Sequence, residues 1–204
     1  APSCRRTPAA RITPLPSSTL RSGLARAGRP DVVRTEDGSA VSELGSVPGG
    51  IGLTAWINQA CAGLATSNPE LGTPMGCADG MLRGVAGIFG DATRVHLVIS
   101  DESSTYRPEM EWLAGQAGDA KFKIQNSEFE GFEEGDAVYR FFELFDLPNV
   151  PNAKKIFQLA NEKTIRLTPP PRPLFEEKMT FALLWNRHLR GFWRQELGEG
   201  FFAR

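Results

Sequence analysis

The feature that most constrains the fold is an alternation of strand-like and helix-like segments in the second half of the chain. The apolar run Arg94–Ser100 is typical of a buried strand, and Tyr106–Ala117 carries Met110 and Leu113 at the spacing of one inward helix face. The same patterns predict strands at 121–125, 136–141 and 164–168, and a helix at 151–162. Such an alternation predicts an α/β fold with a mainly parallel sheet and helices on both faces.

The first half of the chain predicts a β-hairpin followed by helices. Two short strands, Asp31–Thr35 and Ser39–Leu44, flank an acidic turn that ends in Gly38. Apolar residues at helical spacing then predict two helices, with Leu53, Trp56, Ile57, Ala60 and Leu64 in one and Met81, Leu82, Val85, Ile88 and Phe89 in the other. Near the C-terminus, residues 174–197 are predicted to be helical with a break at Gly191, and a core face formed by Phe181, Leu184, Trp185 and Leu189.

Charge and composition exclude several classes of function. The chain has 23 Lys and Arg residues against 24 Asp and Glu residues, so it lacks the basic surplus expected of a protein that binds nucleic acid. No apolar run approaches the roughly 18–20 residues that span a bilayer. Three cysteines, at positions 4, 61 and 77, form no metal-binding spacing and suit a reducing compartment. We therefore expect a cytoplasmic protein that binds neither nucleic acid nor membrane.

Three segments are expected along the chain: 1–28, 29–92 and 93–204. The first contains no acidic residue and five arginines, which is typical of an organellar transit peptide or of a disordered leader, and we favour the leader. The chain begins with Ala1 and ends shortly after the apolar pair Phe201–Phe202. We therefore expect it to be a fragment, with Phe192, Trp193 and that pair packing against a part of the protein that it does not include.

The predicted hairpin brings two carboxylates and a guanidinium together. Arg29 and Asp31 are two residues apart and point to the same face of an extended strand, and strand pairing brings Glu43 opposite Asp31. Two adjacent carboxylates suit Mg²⁺, and an adjacent arginine suits a phosphate. From spacing alone, a surface ion pair between Arg29 and Asp31 with a solvated Glu43 is the favoured interpretation.

A family resemblance favours a catalytic role for these residues over a surface ion pair. Arg29-x-Asp31, Asp37–Gly38 and Glu43 follow the order and spacing of a motif in the glutathionylspermidine synthase-like family of ATP-grasp ligases, which this part of the chain resembles. The resemblance implies that Arg29 is the catalytic cation, which stabilises the forming acyl phosphate, and that Asp31 and Glu43 are Mg²⁺ ligands. The family has a further Asn ligand, and Gly45 stands at that position here.

The loop after the hairpin has two open interpretations. Gly49 and Gly50 precede a helix that opens near Leu53, and glycine amides at a helix N-terminus are suited to binding an anion such as a nucleotide phosphate. A Gly-rich turn without ligand-binding function is equally expected here. No Gly-Lys-Ser/Thr sequence follows, so the loop is not a Walker motif.

A second part of the chain resembles the same family. Asp136–Arg140 resembles its Asp-x-Val/Ile-Tyr-Arg strand, and the segment from Thr168–Pro169 through Lys178 to Leu184–Trp185 resembles its Asn-Lys…Leu-Trp helix. In the family this helix carries the lysine close to the nucleotide-binding domain, which implies that Lys178 contacts a nucleotide phosphate. Glu177 replaces the usual Asn.

Together the resemblances imply a fold and a function. The fold is a Rossmann-like pre-ATP-grasp sheet plus a hairpin that belongs to an ATP-grasp-type site, with the ATP-grasp domain itself truncated and expected beyond Arg204. The function is ATP- and Mg²⁺-dependent ligation of a small-molecule or peptide carboxylate to an amine through an acyl phosphate, and Tyr106 and Arg107 are candidate substrate contacts. A non-catalytic binding or interaction domain on the same scaffold is the alternative, suggested by Gly45 and Glu177.

Overall fold

The computed structural model describes residues 28–36, 38–72, 74, 76–117 and 121–202, so the predicted leader lies almost wholly outside the described residues. The strands are β1 (Arg29–Thr35), β2 (Gly38–Gly45), β3 (Val95–Ile99), β4 (Phe122–Asn126), β5 (Ala137–Phe141) and β6 (Arg166–Thr168). The helices are α1 (Ile51–Ser67), α2 (Gly80–Phe89), α3 (Arg107–Ala117), α4 (Ala153–Asn161), α5 (Thr180–Leu184), α6 (Arg190–Leu197) and α7 (Glu199–Phe202).

The predicted parallel sheet is confirmed. Strand β3 pairs in parallel with β4 on one side and with β5 on the other, and β5 pairs in parallel with β6. In the order β4-β3-β5-β6, the strand that follows β3 in sequence lies on one side of it, and the next strand lies on its other side. Each predicted strand lies within two residues of an observed one, and the largely apolar strands β3 and β5 are buried on both faces.

Helices cover both faces of this sheet. Alternate residues of β3 separate the two cores: Val95, Leu97 and Ile99 pack with α2 and α3, whereas Val98 packs on the side of α4. Met110 and Leu113 are buried against the sheet, as predicted. Helices α1 and α2 contribute Ala55, Val85 and Phe89 to the same cluster, so the segments 29–92 and 93–204 share one hydrophobic core.

The first helix forms as predicted but presents a different face. Gly52 and Ala55 are its buried residues, and a Cβ at Gly52 would lie 2.3 Å from the backbone oxygen of Glu109 on α3. This close approach is possible only for glycine. The apolar residues expected to face inwards remain about half exposed: Leu53, Trp56, Ile57 and Leu64. Periodicity predicted the helix correctly, but small residues rather than large ones make its contact.

The C-terminal region departs most from expectation. Residues 174–191 were predicted to be one helix, whereas the structure has a single 3-10 turn at Pro173–Phe175, the short α5, and α6 after it. Lys178 therefore lies in a turn before α5, not on a helix. Trp185, predicted to lie on the core face, is 89% exposed. Proline-rich sequence limits helix growth at the start of this region, and no layer of the described fold covers α5.

An ion-pair network closes the N-terminal end of the sheet. Asp136, just before β5, accepts hydrogen bonds from Arg94 at 2.7 Å and 3.0 Å and from the backbone N–H of Glu133 at 2.7 Å, and it lies 3.0 Å from Nε2 of His96. Burial lowers the pKa of His96, which favours the neutral ring. The other ring nitrogen of His96 lies 3.0 Å from Nε2 of Gln125 on the neighbouring strand β4. Within the described residues, no helix is both long and apolar enough to cross a bilayer.

Arg140 fastens the segment after β6 to the centre of the sheet. Its guanidinium is completely buried and donates to the carbonyl oxygens of Pro169 and Phe142, at 2.9 Å and 2.8 Å, and to Pro170 at 3.0 Å. It also pairs with the carboxylate of Glu176. Replacing this side chain would leave several buried carbonyl acceptors without this donor and one carboxylate without its cation.

We expect Arg140→Met to lower the free energy of unfolding by roughly 3–5 kcal/mol, because removing one member of a buried pair leaves the other uncompensated. Arg166→Met is the matched control on the neighbouring strand: its partner Asp91 is 93% exposed, so we expect a much smaller loss of stability. Urea unfolding of both variants measures the difference. Equal losses would contradict the anchoring role of Arg140.

Candidate functional site

The candidate site lies at the carboxyl ends of β3 and β5. These neighbouring strands are the point at which the chain reverses its direction across the sheet, and open α/β sheets bind ligands in the crevice outside such a point. Tyr106 follows β3, and Glu143 follows β5. The β1–β2 hairpin and the turn that carries Lys178 complete the crevice.

A cavity of about 220 Å³ brings together residues predicted from distant parts of the sequence. Arg29, Glu43, Gly49 and Lys178 all contribute to its wall. The remaining lining residues are Leu44, Gly45, Ser46, Val47, Pro48, Tyr106, Glu143 and Glu176. Asp31 is not part of this wall. One of the two residues proposed as substrate contacts, Tyr106, lines the cavity, whereas Arg107 lines a separate surface groove near β4.

The hairpin register brings the two predicted metal ligands opposite each other. Asp31 pairs with Glu43 across β1 and β2, and the register shifts by one residue immediately after Asp31. Arg29 donates through Nε to Oδ1 of Asp31 at 2.8 Å, and it also contacts the carbonyl oxygen of Gly49. Asp31 and Arg29 are each about 40% exposed at the side chain. Arg29 thus links the hairpin to the glycine loop.

Glu43 has a different partner. Its carboxylate lies 3.2 Å from Nζ of Lys178, so each predicted metal ligand is neutralised by a cation of the same chain. Within the described residues, no group of three or more His, Cys, Asp and Glu side chains is arranged to hold a metal ion. Mg²⁺ is commonly held by one or two carboxylates together with substrate phosphates, and Asp31 and Glu43 supply that number. Two carboxylates are the number that Mg²⁺ bound together with a phosphate would need, and they do not form a closed protein cage.

The glycine loop is held by an internal carboxylate. Glu109 of α3 accepts hydrogen bonds from the backbone N–H of Gly50 at 2.7 Å and from that of Leu53 at 2.9 Å. Gly50 adopts φ +75°, which favours glycine, and a Cβ at Gly49 would lie 2.7 Å from the ring of Tyr106. Glu109 thus occupies the helix N-terminus at which an anion was predicted to bind. An anion at this N-terminus would have to compete with Glu109 for these amides.

A pair of carboxyl groups forms the wall opposite the hairpin. Glu176 accepts from the backbone N–H of Leu144 at 2.8 Å and pairs with Arg140, which fixes its position. Burial, together with a hydrogen bond to Glu176 and the charge of that carboxylate, raises the pKa of Glu143 to about 7. Burial also raises the pKa of Asp146, with a contribution from Glu102. Glu143 is therefore partly protonated near neutral pH.

The sequence analysis did not identify Glu143 or Glu176. One signal was available for Glu143, because it comes two residues after a buried strand, at the end of the sheet where ligands of this fold class bind. Glu176 had no such signal. Its role depends on contacts with Arg140 and Leu144, which are more than thirty residues away in sequence.

A second cavity of about 380 Å³ adjoins the first. Four residues line both cavities, namely Val47, Gly49, Tyr106 and Glu143. The second cavity is otherwise lined by acidic, aromatic and small polar side chains: Glu102, Ser103, Phe141, Phe145 and Asp146. The crevice therefore has a mixed-charge compartment that contains Arg29 and Lys178 and an acidic, aromatic compartment beside it.

No protein-family model, no curated protein and no solved structure matches the chain.

We expect Glu109→Ala to lower the free energy of unfolding by about 0.5–2 kcal/mol, the usual cost of removing a helix N-terminal cap. Glu111→Ala on the exposed side of the same helix is the matched control and should change stability by less than about 0.5 kcal/mol. Thermal unfolding measures both. If the two variants behave alike, the contacts of Glu109 do not stabilise the loop.

The raised pKa of Glu143 makes stability depend on pH. Between its ordinary value near 4.5 and about 7, the folded chain holds a proton at Glu143 that the unfolded chain has lost. Stability therefore falls as pH rises through this interval. In Glu143→Gln this contribution is absent, so we expect the variant to gain stability relative to the wild type between about pH 5 and pH 8.

Urea midpoints at the two pH values measure this difference. Glu134→Gln, which replaces an exposed carboxylate in the loop before β5, should show a pH-independent difference from the wild type. A Glu143→Gln difference that is also independent of pH would show that Glu143 ionises normally.

Proposed function

We propose that this chain is part of an ATP- and Mg²⁺-dependent carboxylate–amine ligase that forms an amide through an acyl phosphate. In this proposal the crevice binds the phosphoryl group and the acyl group of a small-molecule or peptide carboxylate, and the amine approaches it. The nucleotide is held by an ATP-grasp domain outside the described residues.

The observation that carries the proposal is the meeting of Arg29, Glu43, Gly49 and Lys178 around one cavity. Arg29, Glu43 and Lys178 were selected from two separate stretches of sequence by resemblance to one ligase family, and Gly49 was selected as part of a Gly-rich loop before a helix. They come from the hairpin, the loop after it and the turn before α5. A surface ion pair unrelated to function would not account for the convergence of all four.

Each side chain has a distinct role in the proposed reaction. Arg29 is held by Asp31 and the carbonyl of Gly49, so its guanidinium is oriented before any ligand arrives and can stabilise the charge that develops on a transferring phosphoryl group. Lys178 exchanges Glu43 for a phosphate oxygen. Asp31 and Glu43 would hold Mg²⁺, which when bound neutralises charge on the phosphate oxygens.

A second candidate function is a binding module that uses the same cavity without catalysis. It is favoured by the existing ion pairs, since Arg29 with Asp31 and Lys178 with Glu43 satisfy both carboxylates without a metal ion. The absence of a side chain at Gly45, where the ligase family has a metal ligand, supports the same interpretation. A binding module would take up a phosphorylated ligand but would release no ADP.

In the full-length protein, we expect Arg29→Ala to lower amine-dependent ADP release by about 10³–10⁵-fold, the usual effect of removing an arginine that stabilises a transferring phosphoryl group. Arg34→Ala is the matched control, because Arg34 lies on the same strand and is exposed. Arg29→Lys tests geometry separately from charge, because lysine keeps the positive charge but cannot form the paired hydrogen bonds of a guanidinium. A coupled assay for ADP measures all three variants.

The outcome also separates the two candidates. If Arg29→Ala still releases ADP at the wild-type rate, Arg29 has no role in the mechanism. If the wild type releases no ADP with any amine, yet Mg²⁺ and ATP raise its thermal midpoint, the binding module is the correct interpretation.

A further inference from the structure

Glu143 occupies a distinctive position between the two compartments of the crevice. Its side chain contributes to the walls of both the 220 Å³ cavity and the 380 Å³ cavity. On one side lie Arg29 and Lys178, which are suited to a phosphoryl group, and on the other lie Asp146 and Phe145. A group at this boundary can contact a ligand in either compartment.

The position of Glu143 is fixed by the residue behind it. Glu143 forms a hydrogen bond with Glu176, whose carboxylate is itself held by buried Arg140 and by the backbone N–H of Leu144. The two carboxyl groups share a hydrogen bond that requires one of them to carry a proton. Because Arg140 and the backbone N–H of Leu144 both donate to Glu176, we assign the proton of the shared hydrogen bond to Glu143.

We propose that Glu143 is the proton acceptor for the amine in the ligation step, and that the acidic, aromatic compartment is where the amine waits before it attacks. This inference rests on the proposed function, because it assigns a catalytic role within that same site. It identifies a residue that neither the spacing of the hairpin motif nor the resemblance selected.

The step balances as follows. An alkylammonium group gives one proton to the Glu143 carboxylate and becomes a neutral amine. The nitrogen lone pair forms a bond to the acyl carbon, and the bond between that carbon and the phosphate oxygen breaks. The second proton leaves the nitrogen with the departing phosphate, and Glu143 then returns its proton to solvent.

Charge around Glu143 suits this role. The groups that act on it are Glu176 from the segment after β6, Arg140 from β5 and Asp146 from the turn that follows β5. Burial and, after it, the two carboxylates raise the pKa of Glu143 to about 7, against the opposing effect of Arg140. A base whose pKa lies near the working pH is deprotonated in a large fraction of molecules and still binds a proton strongly.

The first test uses the chain without requiring turnover. Carboxyl resonances of ¹³C-labelled glutamate are followed by NMR as pH is varied, and Glu143 is assigned as the signal lost in Glu143→Gln. We expect a midpoint near 7 that falls when n-butylammonium chloride is added, because a bound cation favours the carboxylate. A midpoint near the ordinary value, or one that does not respond to the amine, overturns the proposal.

The second test uses the full-length protein with ATP, N-acetylated triglycine as the carboxylate probe, and either n-butylamine or hydroxylamine. Hydroxylamine is already neutral at pH 7 and needs no base to become a nucleophile. We expect Glu143→Gln to lower turnover with n-butylamine by about 10²–10⁴-fold and to leave hydroxamate formation unchanged. Exposed Glu134→Gln should leave both reactions unchanged.

The outcomes distinguish the two proposals. Equal loss of both reactions in Glu143→Gln means that this residue is structural, and unchanged turnover with n-butylamine also overturns its role as the base. If the wild type forms neither amide nor hydroxamate, the proposed ligase function fails for this carboxylate, and the NMR titration alone decides whether Glu143 is a proton acceptor that responds to an amine.

Discussion

The buried guanidinium of Arg140 holds the candidate site together. It lies on the central strand β5 and donates to carbonyl oxygens of the proline-rich segment that follows β6, as well as to Glu176. The only α-helix that directly follows this segment, α5, is five residues long, and each of its residues with described burial is at least partly exposed. By fixing Glu176, Arg140 sets where the next residues of the turn lie, and Lys178 consequently reaches Glu43 on the hairpin. The wall of the cavity thus depends on one fully buried cation.

The sequence predicted the scaffold more fully than the site. Largely apolar strands such as β3 and β5 are recognisable because both of their faces are buried, and their alternation with helices leaves few possible topologies. The pairing of Asp31 with Glu43 was predictable because a short turn fixes the register of a hairpin, although the irregularity after Asp31 was not. In each case, local pattern and tertiary environment agree.

The rest of the site could not be predicted because long-range contacts determine it. Glu109 caps the glycine loop from a helix more than fifty residues away, and nothing in its own neighbourhood distinguishes it from the adjacent Glu111. The proton on Glu143 depends on Glu176, which in turn depends on Arg140. The exposure of Trp185 is a related case, since helical periodicity indicates which residues share a face but not whether another layer covers that face.

The energies of the ion pairs explain how a cavity with internally neutralised charges can still receive a ligand. Lys178 is 75% exposed and Glu43 is 35% exposed, and pairs in such surroundings contribute only about 0–1 kcal/mol. A phosphate or a metal ion can therefore displace either partner at little cost. The pair between Arg140 and Glu176 is buried, and breaking it would leave an uncompensated charge inside the protein. The groups that face a ligand are thus exchangeable, whereas the groups behind them are fixed. This arrangement allows Glu143 to change its protonation state without loss of the wall that positions it.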